Sequence, residues 1–273
     1  MIYRWIPKPL KKYYKKLYWR LFYNYIGTFG MLSPVKFLNH GYAEEGVTID
    51  NSTFKDLGKL AQNLYLHLFE QAPPDGKHIL EIGCGKGSGL ALMNEHYKPA
   101  RCVGLDLSDT NIRRCKKLYS NLNIEFIRGD AEKQIFPIKT FDAIFNLESS
   151  HCYFSKRKFY ENVHFILKDD GYFIYSDLFW HDYLINDMEN EFDEVGFYIE
   201  KKEDITPQVF RSIEIKSFVW QYYVADGLAP KEMLNNFVSG PGSELHGLFE
   251  DGTVKYNLYV LRKKNFIVET RVF

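Results

Sequence analysis

The stretch LEIGCGKGSG, residues 80–89, decides how this chain is read. A short apolar run, HILEIG (78–83), leads into glycines at 83, 85, 87 and 89, and Lys86 to Tyr97 then continues with helical spacing. A strand, a glycine turn and a helix open a βαβ unit. Glycines there let the backbone turn sharply and come close to a bound group.

Working outward, CVGLD (102–106) is the next strand, and Ser108 caps a second helix that runs to Tyr119. IEFIRGD (124–130), FDAIFNLE (141–148) and GYFIYSDLF (171–179) are further strands, with a helix from Phe159 to Leu167 before the last of them. GFYIEKKED (196–204) and VKYNLYVLRK (254–263) read as a closing antiparallel pair. Strands alternating with helices imply an α/β, doubly wound, mostly parallel sheet with helices on both faces. Ligands of such sheets bind beyond the carboxyl ends of the strands. Between the last two strands, residues 205–250 form an insertion. Thr206-Pro207 reads as an N-cap and first turn. The helix after it is apolar on most sides (Val209, Phe210, Ile213, Ile215, Phe218, Val219, Trp220, Tyr222), so it must bury against a core, a second subunit or a greasy substrate.

The chain has 273 residues, 45% hydrophobic and 26% charged, enough to bury a core unaided. Four cysteines without a CxxC speak against a disulfide framework or a zinc knuckle. No HxH or HExxH spacing suggests a metal site. Net charge is zero, which argues against a nucleic-acid partner. That zero averages two unlike parts. Residues 1–43 hold eight Lys/Arg and no Asp or Glu, whereas the other 230 hold 27 basic against 35 acidic residues. From Leu10 to Tyr25, apolar residues fall at 10, 13, 14, 17, 18, 21, 22 and 25, with Lys11, Lys12, Lys15, Lys16 and Arg20 opposite, and Pro7 and Pro9 stand where a helix begins. Such a helix suits the headgroup region of an anionic bilayer, or else packs its stripe on the domain and leaves the lysines in water. There is no run of about 18 apolar residues and no short apolar core with a small-residue cleavage site, so neither a spanning helix nor a secretory signal is expected.

Three strand ends carry acidic groups beside the glycine turn. Glu81 precedes the first glycine, Asp106 ends the second strand 23 residues after Gly83, and Asp130 ends the third. The dinucleotide spacing G-x-G-x-x-G fails, because its third position falls on Ser88 or Leu90. Glu81 would repel a pyrophosphate but suits a ligand with an ammonium and a sulfonium. Asp106 can accept from both ribose hydroxyls, and Asp130 from an adenine amino group with the next backbone N–H on a ring nitrogen.

On these residues the chain resembles the class I S-adenosylmethionine-dependent methyltransferases over about residues 75–263. The resemblance implies a seven-stranded sheet of Rossmann-like methyltransferase type and S-adenosyl-L-methionine as cofactor. It implies that Gly83, Gly85 and Gly87 line the methionine end and that Asp106, with Leu107, holds the ribose. Asp130 and Ala131 would meet the adenine, and Asn146 would sit beneath the methionine. More narrowly, ESSHCY (148–153), GYFIYSDL (171–178) and RSIE (211–214) resemble the phthiotriol/phenolphthiotriol dimycocerosate methyltransferases, and a His/Asp pair at this spacing resembles sugar O-methyltransferases. LNHGYAEE (38–45) resembles a segment that both groups carry before the first strand, which implies that Tyr42 closes over the cofactor.

Methyl transfer from a sulfonium mainly needs alignment, but an alcohol acceptor must also lose a proton. His151 lies on the loop after the fourth strand and Asp177 ends the fifth, so the pair reads as a base and its orienting carboxylate. Cys152 reads as a small packed residue. The expected activity is O-methylation of a hydroxyl on a hydrophobic lipid, polyketide or glycolipid-like acceptor. Carbon methylation of a sterol or prenyl olefin is the competing activity, with Glu148 or Glu214 steadying a carbocation. A lipid-binding shell without catalysis would not need Glu81, Asp106 and Asp130. The expected organisation is a basic helical region at 1–74, the methyltransferase domain at 75–263 with its cap at 205–250, and a tail at 264–273. The expected setting is cytoplasmic, peripheral on a membrane through residues 8–26, and a homodimer is one further arrangement.

Overall fold

The computed structural model describes residues 8–28, 36–47, 54–133, 136–180, 182–225 and 239–264. Pro7, the tail beyond 264 and part of the cap therefore lie outside the described residues. In chain order the elements are α1 (Lys8–Thr28), α2 (Phe54–Glu70), β1 (His78–Ile82), α3 (Ser88–His96), β2 (Arg101–Asp106) and α4 (Asp109–Leu118). They continue with β3 (Ile124–Arg128), β4 (Phe141–Leu147), α5 (Lys156–Ile166), β5 (Leu167–Trp180), α6 (Asp182–Val195), β6 (Phe197–Asp204), α7 (Thr206–Ala225), α8 (Glu244–Glu250) and β7 (Val254–Lys263).

One seven-stranded sheet has the order β3-β2-β1-β4-β5-β7-β6. The first five strands pair in parallel, and β7 runs antiparallel between β5 and β6. The strand order reverses between β1 and β4, which is where the carboxyl ends of such sheets open a crevice.

The period of two in each strand splits its side chains between two cores. Ile79 joins the core under α2, α3, α4, α7 and α8, while Leu80 joins the core under α5 and α6. Each fully buried Leu or Phe contributes about 1.5–3 kcal/mol. Ser108 caps α4 as expected, its hydroxyl accepting from the Asn111 amide. Helix α2 falls within the helical region expected at 1–74 although the sequence reading gave it no bounds, and α6 had no counterpart. Their signals are present all the same, Leu60/Leu64/Leu68 and Ile185/Met188/Phe192 at helical spacing, all buried. Thr206 does not cap α7, because its hydroxyl accepts the Tyr256 amide 2.7 Å away. Val209 and Ile213 of α7 are buried in the core, so the described part of that helix packs on the domain.

The N-terminal helix reverses one of the two expected arrangements, the one in which its apolar stripe packs on the domain and its lysines stay in water. Lys15, Lys16 and Arg20 face the domain, whereas Tyr13, Leu17, Tyr18 and Leu21 are 50–70% exposed. Charge explains the choice of face. The strand ends beneath α1 are acidic, and ion pairs with Asp130, Glu132 and Asp109 hold the basic face inward.

Candidate active site

At the head of the site, the turn after β1 is built on left-handed backbone. Gly83 has φ +78, and a Cβ there would lie 2.0 Å from Ser149 Oγ. Its amide and that of Cys84 donate to the Leu105 carbonyl, which fixes the turn over β2. The Gly85 amide donates to Asp106 Oδ2 at 2.9 Å, and the Ser108 amide to Oδ1 at 2.8 Å. Burial pushes the Asp106 carboxyl up to about 6, although those two amides favour its charge. Glu81, in the interior of β1, is buried and accepts from Tyr65 Oη at 2.8 Å. Burial raises it to about 7, and its Oε2 has no partner among the described residues. An orphaned buried carboxylate oxygen calls for a donor.

Asp106 and the turn at Gly83 border a cavity of about 620 Å³ beyond the carboxyl ends of the strands, whereas Glu81 is not part of its wall and is bonded to the lining Tyr65. Gly83, Gly85, Asp106, Leu107, Asp130 and Ala131 border it, as does Tyr65, which the sequence reading missed. Gly87 does not; its Cβ would meet Phe126 and Cys115, so this glycine serves helix–sheet packing at the start of α3. Asn146 is fully buried below the turn and donates to the Ile82 carbonyl and to Tyr153 Oη, at 2.8 and 3.1 Å. Asp130 is already engaged, with Lys16 Nζ 2.6 Å from Oδ2 and the Glu132 amide 3.1 Å from Oδ1.

Tyr42 departs from its expected place. Its ring stacks on His67 at 4.7 Å, its hydroxyl donates to Glu44, and it lies outside the cavity wall. The neighbouring His40 borders the cavity instead. Position in the motif marked the segment, but only packing decided which ring faced inward.

At the other end, the loop after β4 turns through a short 3-10 helix, Ser150–Cys152. It presents His151, whose Nδ1 lies 2.8 Å from Asp177 Oδ1. Asp177 is fully buried and also accepts from Ser150 Oγ at 2.6 Å, the His151 amide at 3.1 Å and the Leu178 amide at 2.9 Å. Burial opposes charge on both members. The mutual attraction outweighs it, holding Asp177 well below the usual carboxylate range and His151 well above the usual histidine range. An ionised Asp177 places a proton on His151 Nδ1 and turns Nε2 to other partners. From α1, the Trp19 ring meets the His151 ring edge-on at 6.2 Å, and Lys15 Nζ donates to the carbonyls of His151 and Tyr153. The basic helix thus roofs both ends of the cavity.

Glu148 also borders the cavity and has φ +44, a strained value for a residue other than glycine. Its Oε1 accepts from the His40 amide and from Tyr256 Oη, at 2.8 and 2.7 Å. Glu214 lies outside the cavity wall and pairs with His246 at 2.7 Å. Among the described residues no cluster of three His, Cys, Asp or Glu side chains could hold a metal ion.

A glycine turn, two desolvated carboxylates and a large cavity at the reversal of an α/β sheet define a nucleoside-binding enzyme. A family profile described as a methyltransferase domain matches residues 79–171. The chain is 32% identical to a fatty-acid O-methyltransferase of Mycolicibacterium smegmatis, over 84% of this chain and 84% of that protein. It is 29% identical to a phthiotriol/phenolphthiotriol dimycocerosates methyltransferase of Mycobacterium leprae, over 92% and 93%. In fold it is similar to the geranyl diphosphate C-methyltransferase of Streptomyces coelicolor A3(2), solved with S-adenosyl-L-homocysteine, with a TM-score of 0.71 at 13% identity over 91% and 97%. The chain belongs to the class I S-adenosylmethionine-dependent methyltransferases. S-adenosylmethionine is its cofactor.

Proposed function

We propose that this methyltransferase O-methylates a hydroxyl of a hydrophobic, lipid-like acceptor, with His151 as base and Asp177 as the group that orients it. The observation that carries this reading is the 2.8 Å contact between His151 Nδ1 and Asp177 Oδ1 at the wall of the cavity. The printed names of two relatives, a fatty-acid and a phthiotriol-type methyltransferase, support a lipid acceptor.

Bound S-adenosylmethionine supplies an electrophilic methyl group on a sulfonium. In this reading Glu81 and the turn at Gly83 and Gly85 hold its amino-acid end, Asp106 and Leu107 its ribose, and Asp130 and Ala131 its adenine. The unpartnered Glu81 Oε2, set behind the cavity wall, adds negative charge close to a cationic ligand. The acceptor hydroxyl donates to His151 Nε2, which takes the proton as the oxygen attacks. Asp177 steadies the ring and the charge it gains, a contribution of roughly 10²–10⁴-fold. Trp19 on α1 keeps water away from the imidazole.

The exposed row Tyr13, Leu17, Tyr18 and Leu21 adds a route for the acceptor, since Tyr18 also borders the cavity. We assign this face of residues 8–26 to contact with a membrane surface. Among the described residues, no helix is long and apolar enough to cross one. The functional division follows: described residues of the 1–74 region such as Trp19 and His40 roof the site, 75–263 carry the chemistry, and the cap at 205–250 supplies Leu245 to the wall.

Carbon methylation of an olefin would draw on Glu148, the acidic residue of that competing reading that borders the cavity. The test is incubation with a lipid extract and methyl-labelled cofactor, followed by identification of the product. Label in a methyl ether supports the proposal, label in a methyl ester makes the acceptor a carboxylate that needs no base and removes the hydroxyl reading, and label in a C–C bond defeats it. Full turnover by both His151→Ala and Asp177→Asn would remove the base assignment.

A further inference from the structure

His40 is a partly buried imidazole whose ring no described residue hydrogen-bonds. Its backbone is pinned at both ends, the amide donating to Glu148 Oε1 at 2.8 Å and the carbonyl accepting from Ser212 Oγ at 2.7 Å. Phe249 meets its ring edge-on at 6.4 Å. The side chain is only 11% exposed, and Glu148 Oε2, the nearest ion-pair partner of the ring, stands 3.9 Å from Nε2, beyond hydrogen-bond length. No described residue hydrogen-bonds either ring nitrogen, yet the ring borders the cavity. A ring nitrogen without a hydrogen bond at a cavity wall is open to a polar group of a ligand.

The surroundings place this ring at the reacting end. Glu148, which fixes its amide, lies three residues before His151 on the same loop. Glu148 keeps its strained backbone because Tyr256 Oη holds its carboxylate and its own amide donates to the Ser176 carbonyl. Lys216 is buried behind the segment, donates to the Asn39 carbonyl at 2.8 Å, and balances the Glu148 charge. Burial lowers the affinity of His40 for a second proton, Glu148 opposes this, and Lys216 and His151 add to it. The cavity wall therefore carries two imidazoles shifted in opposite directions.

We infer that His40 contacts the acceptor and selects molecules that carry a second oxygen close to the one being methylated, a vicinal or 1,3-diol rather than an isolated alcohol. The inference rests on the proposed O-methylation, because it takes His151 as the group at the reacting oxygen. A neutral imidazole can donate to or accept from the second hydroxyl, and Glu148 acts as a positioning residue that aims the ring. No bond forms or breaks at His40.

The test compares a long-chain 1,3-diol with the matching mono-alcohol in wild type, His40→Phe and His40→Gln. Wild type should favour the diol in kcat/KM by about 10–100-fold, as expected where a site must pair a substrate hydroxyl. His40→Phe should lower diol turnover by a similar factor and mono-alcohol turnover far less, and His40→Gln should restore part of the preference. Affinity for S-adenosylhomocysteine and the thermal midpoint serve as controls. Equal losses on both acceptors, or a loss of cofactor-product affinity in His40→Gln, would make the ring structural or cofactor-bound and overturn the inference. Wild type that methylates both acceptors equally overturns it alone; wild type that methylates no hydroxyl acceptor overturns the O-methylation reading with it.

Discussion

Lys16 of the N-terminal helix reaches Asp130 at the end of the third strand, Nζ 2.6 Å from Oδ2, and the same ammonium lies 3.2 Å from Glu132 Oε1. One cation thereby ties the roof to the carboxylate assigned to adenine. Helix α1 also reaches Asp109 through Arg20. The roof is docked by charge rather than by its apolar stripe.

Replacing Lys16 should loosen that roof. A partly exposed pair contributes about 1 kcal/mol, so Lys16→Met should speed hydrogen exchange of α1 amides about 5-fold. Raising salt to 0.5 M should produce a similar change in wild type, because it screens the pairs of Lys16 and Arg20 together. Exchange that ignores both changes would mean that apolar contacts hold the helix.

The His151/Asp177 pair sets the direction of the pH profile. His151 must be neutral to accept a proton, and its pKa is raised, so turnover with a hydroxyl acceptor should be lost as pH falls through a value above 6.5. Asp177→Asn should move this limb toward acid and lower the plateau by roughly 10²–10⁴-fold. For stability the sign is opposite. The charged imidazole contributes fully below about 6.5, and that contribution fades as pH rises through the raised value. The ionised Asp177 contributes above about 3.9, and its share fades as pH falls. Kinetics and melting across pH 3–10 test both.

Cofactor binding should release protons. Glu81 and Asp106 are raised to about 7 and 6, so at pH 6 a large share of each is protonated before ligand arrives. A ligand that needs both as carboxylates should bind more weakly as pH falls from 8 to 5.5. Calorimetry with S-adenosylhomocysteine at pH 6, in buffers of different ionisation enthalpy, should read this release directly. Uptake of protons, or none, would place the ligand away from these two groups.

Gly83→Ala should disable the turn. Its φ is +78, and the new Cβ would stand 2.0 Å from Ser149 Oγ and 2.5 Å from Ser149 Cβ. Strain and overpacking together cost about 2–4 kcal/mol, visible as a drop in thermal midpoint and in cofactor affinity. Adding Ser149→Gly should recover the steric part but not the backbone part, so rescue should be incomplete.

The outward face of α1 can be tested on vesicles. Leu17 and Leu21 are 54% and 58% exposed, and changing both to Ser should lower partitioning onto neutral phosphatidylcholine vesicles by about 10–100-fold. Because Lys15, Lys16 and Arg20 are engaged inward, wild-type binding to vesicles that contain anionic phosphatidylserine should change little between 0.05 and 0.5 M salt. Steep salt dependence would show that other basic residues carry the contact.

The order of β-strands, the glycine turn and the acidic residues at Glu81, Asp106 and Asp130 were legible in the sequence, as was the proximity of His151 and Asp177. The reason is topological. In a doubly wound parallel sheet every strand delivers its carboxyl end to the same edge, so a residue's position along its strand fixes its place in the site. Helix α6 was missed and α2 was left without bounds although their apolar spacing was present, since neither is marked by flanking motifs.

Tertiary structure alone settled which face each ambiguous element turned inward. Periodicity divided α1 into a basic and an apolar side, but only the acidic rim beneath it drew the lysines in and left Leu17 and Leu21 in solvent. LNHGY marked a segment near the cavity, but packing sent Tyr42 onto His67 and gave the wall to His40, while Tyr65 from a separate helix arrived at Glu81. Local spacing encodes what a residue's own element does; long-range charge and shape complementarity decide which neighbour it meets.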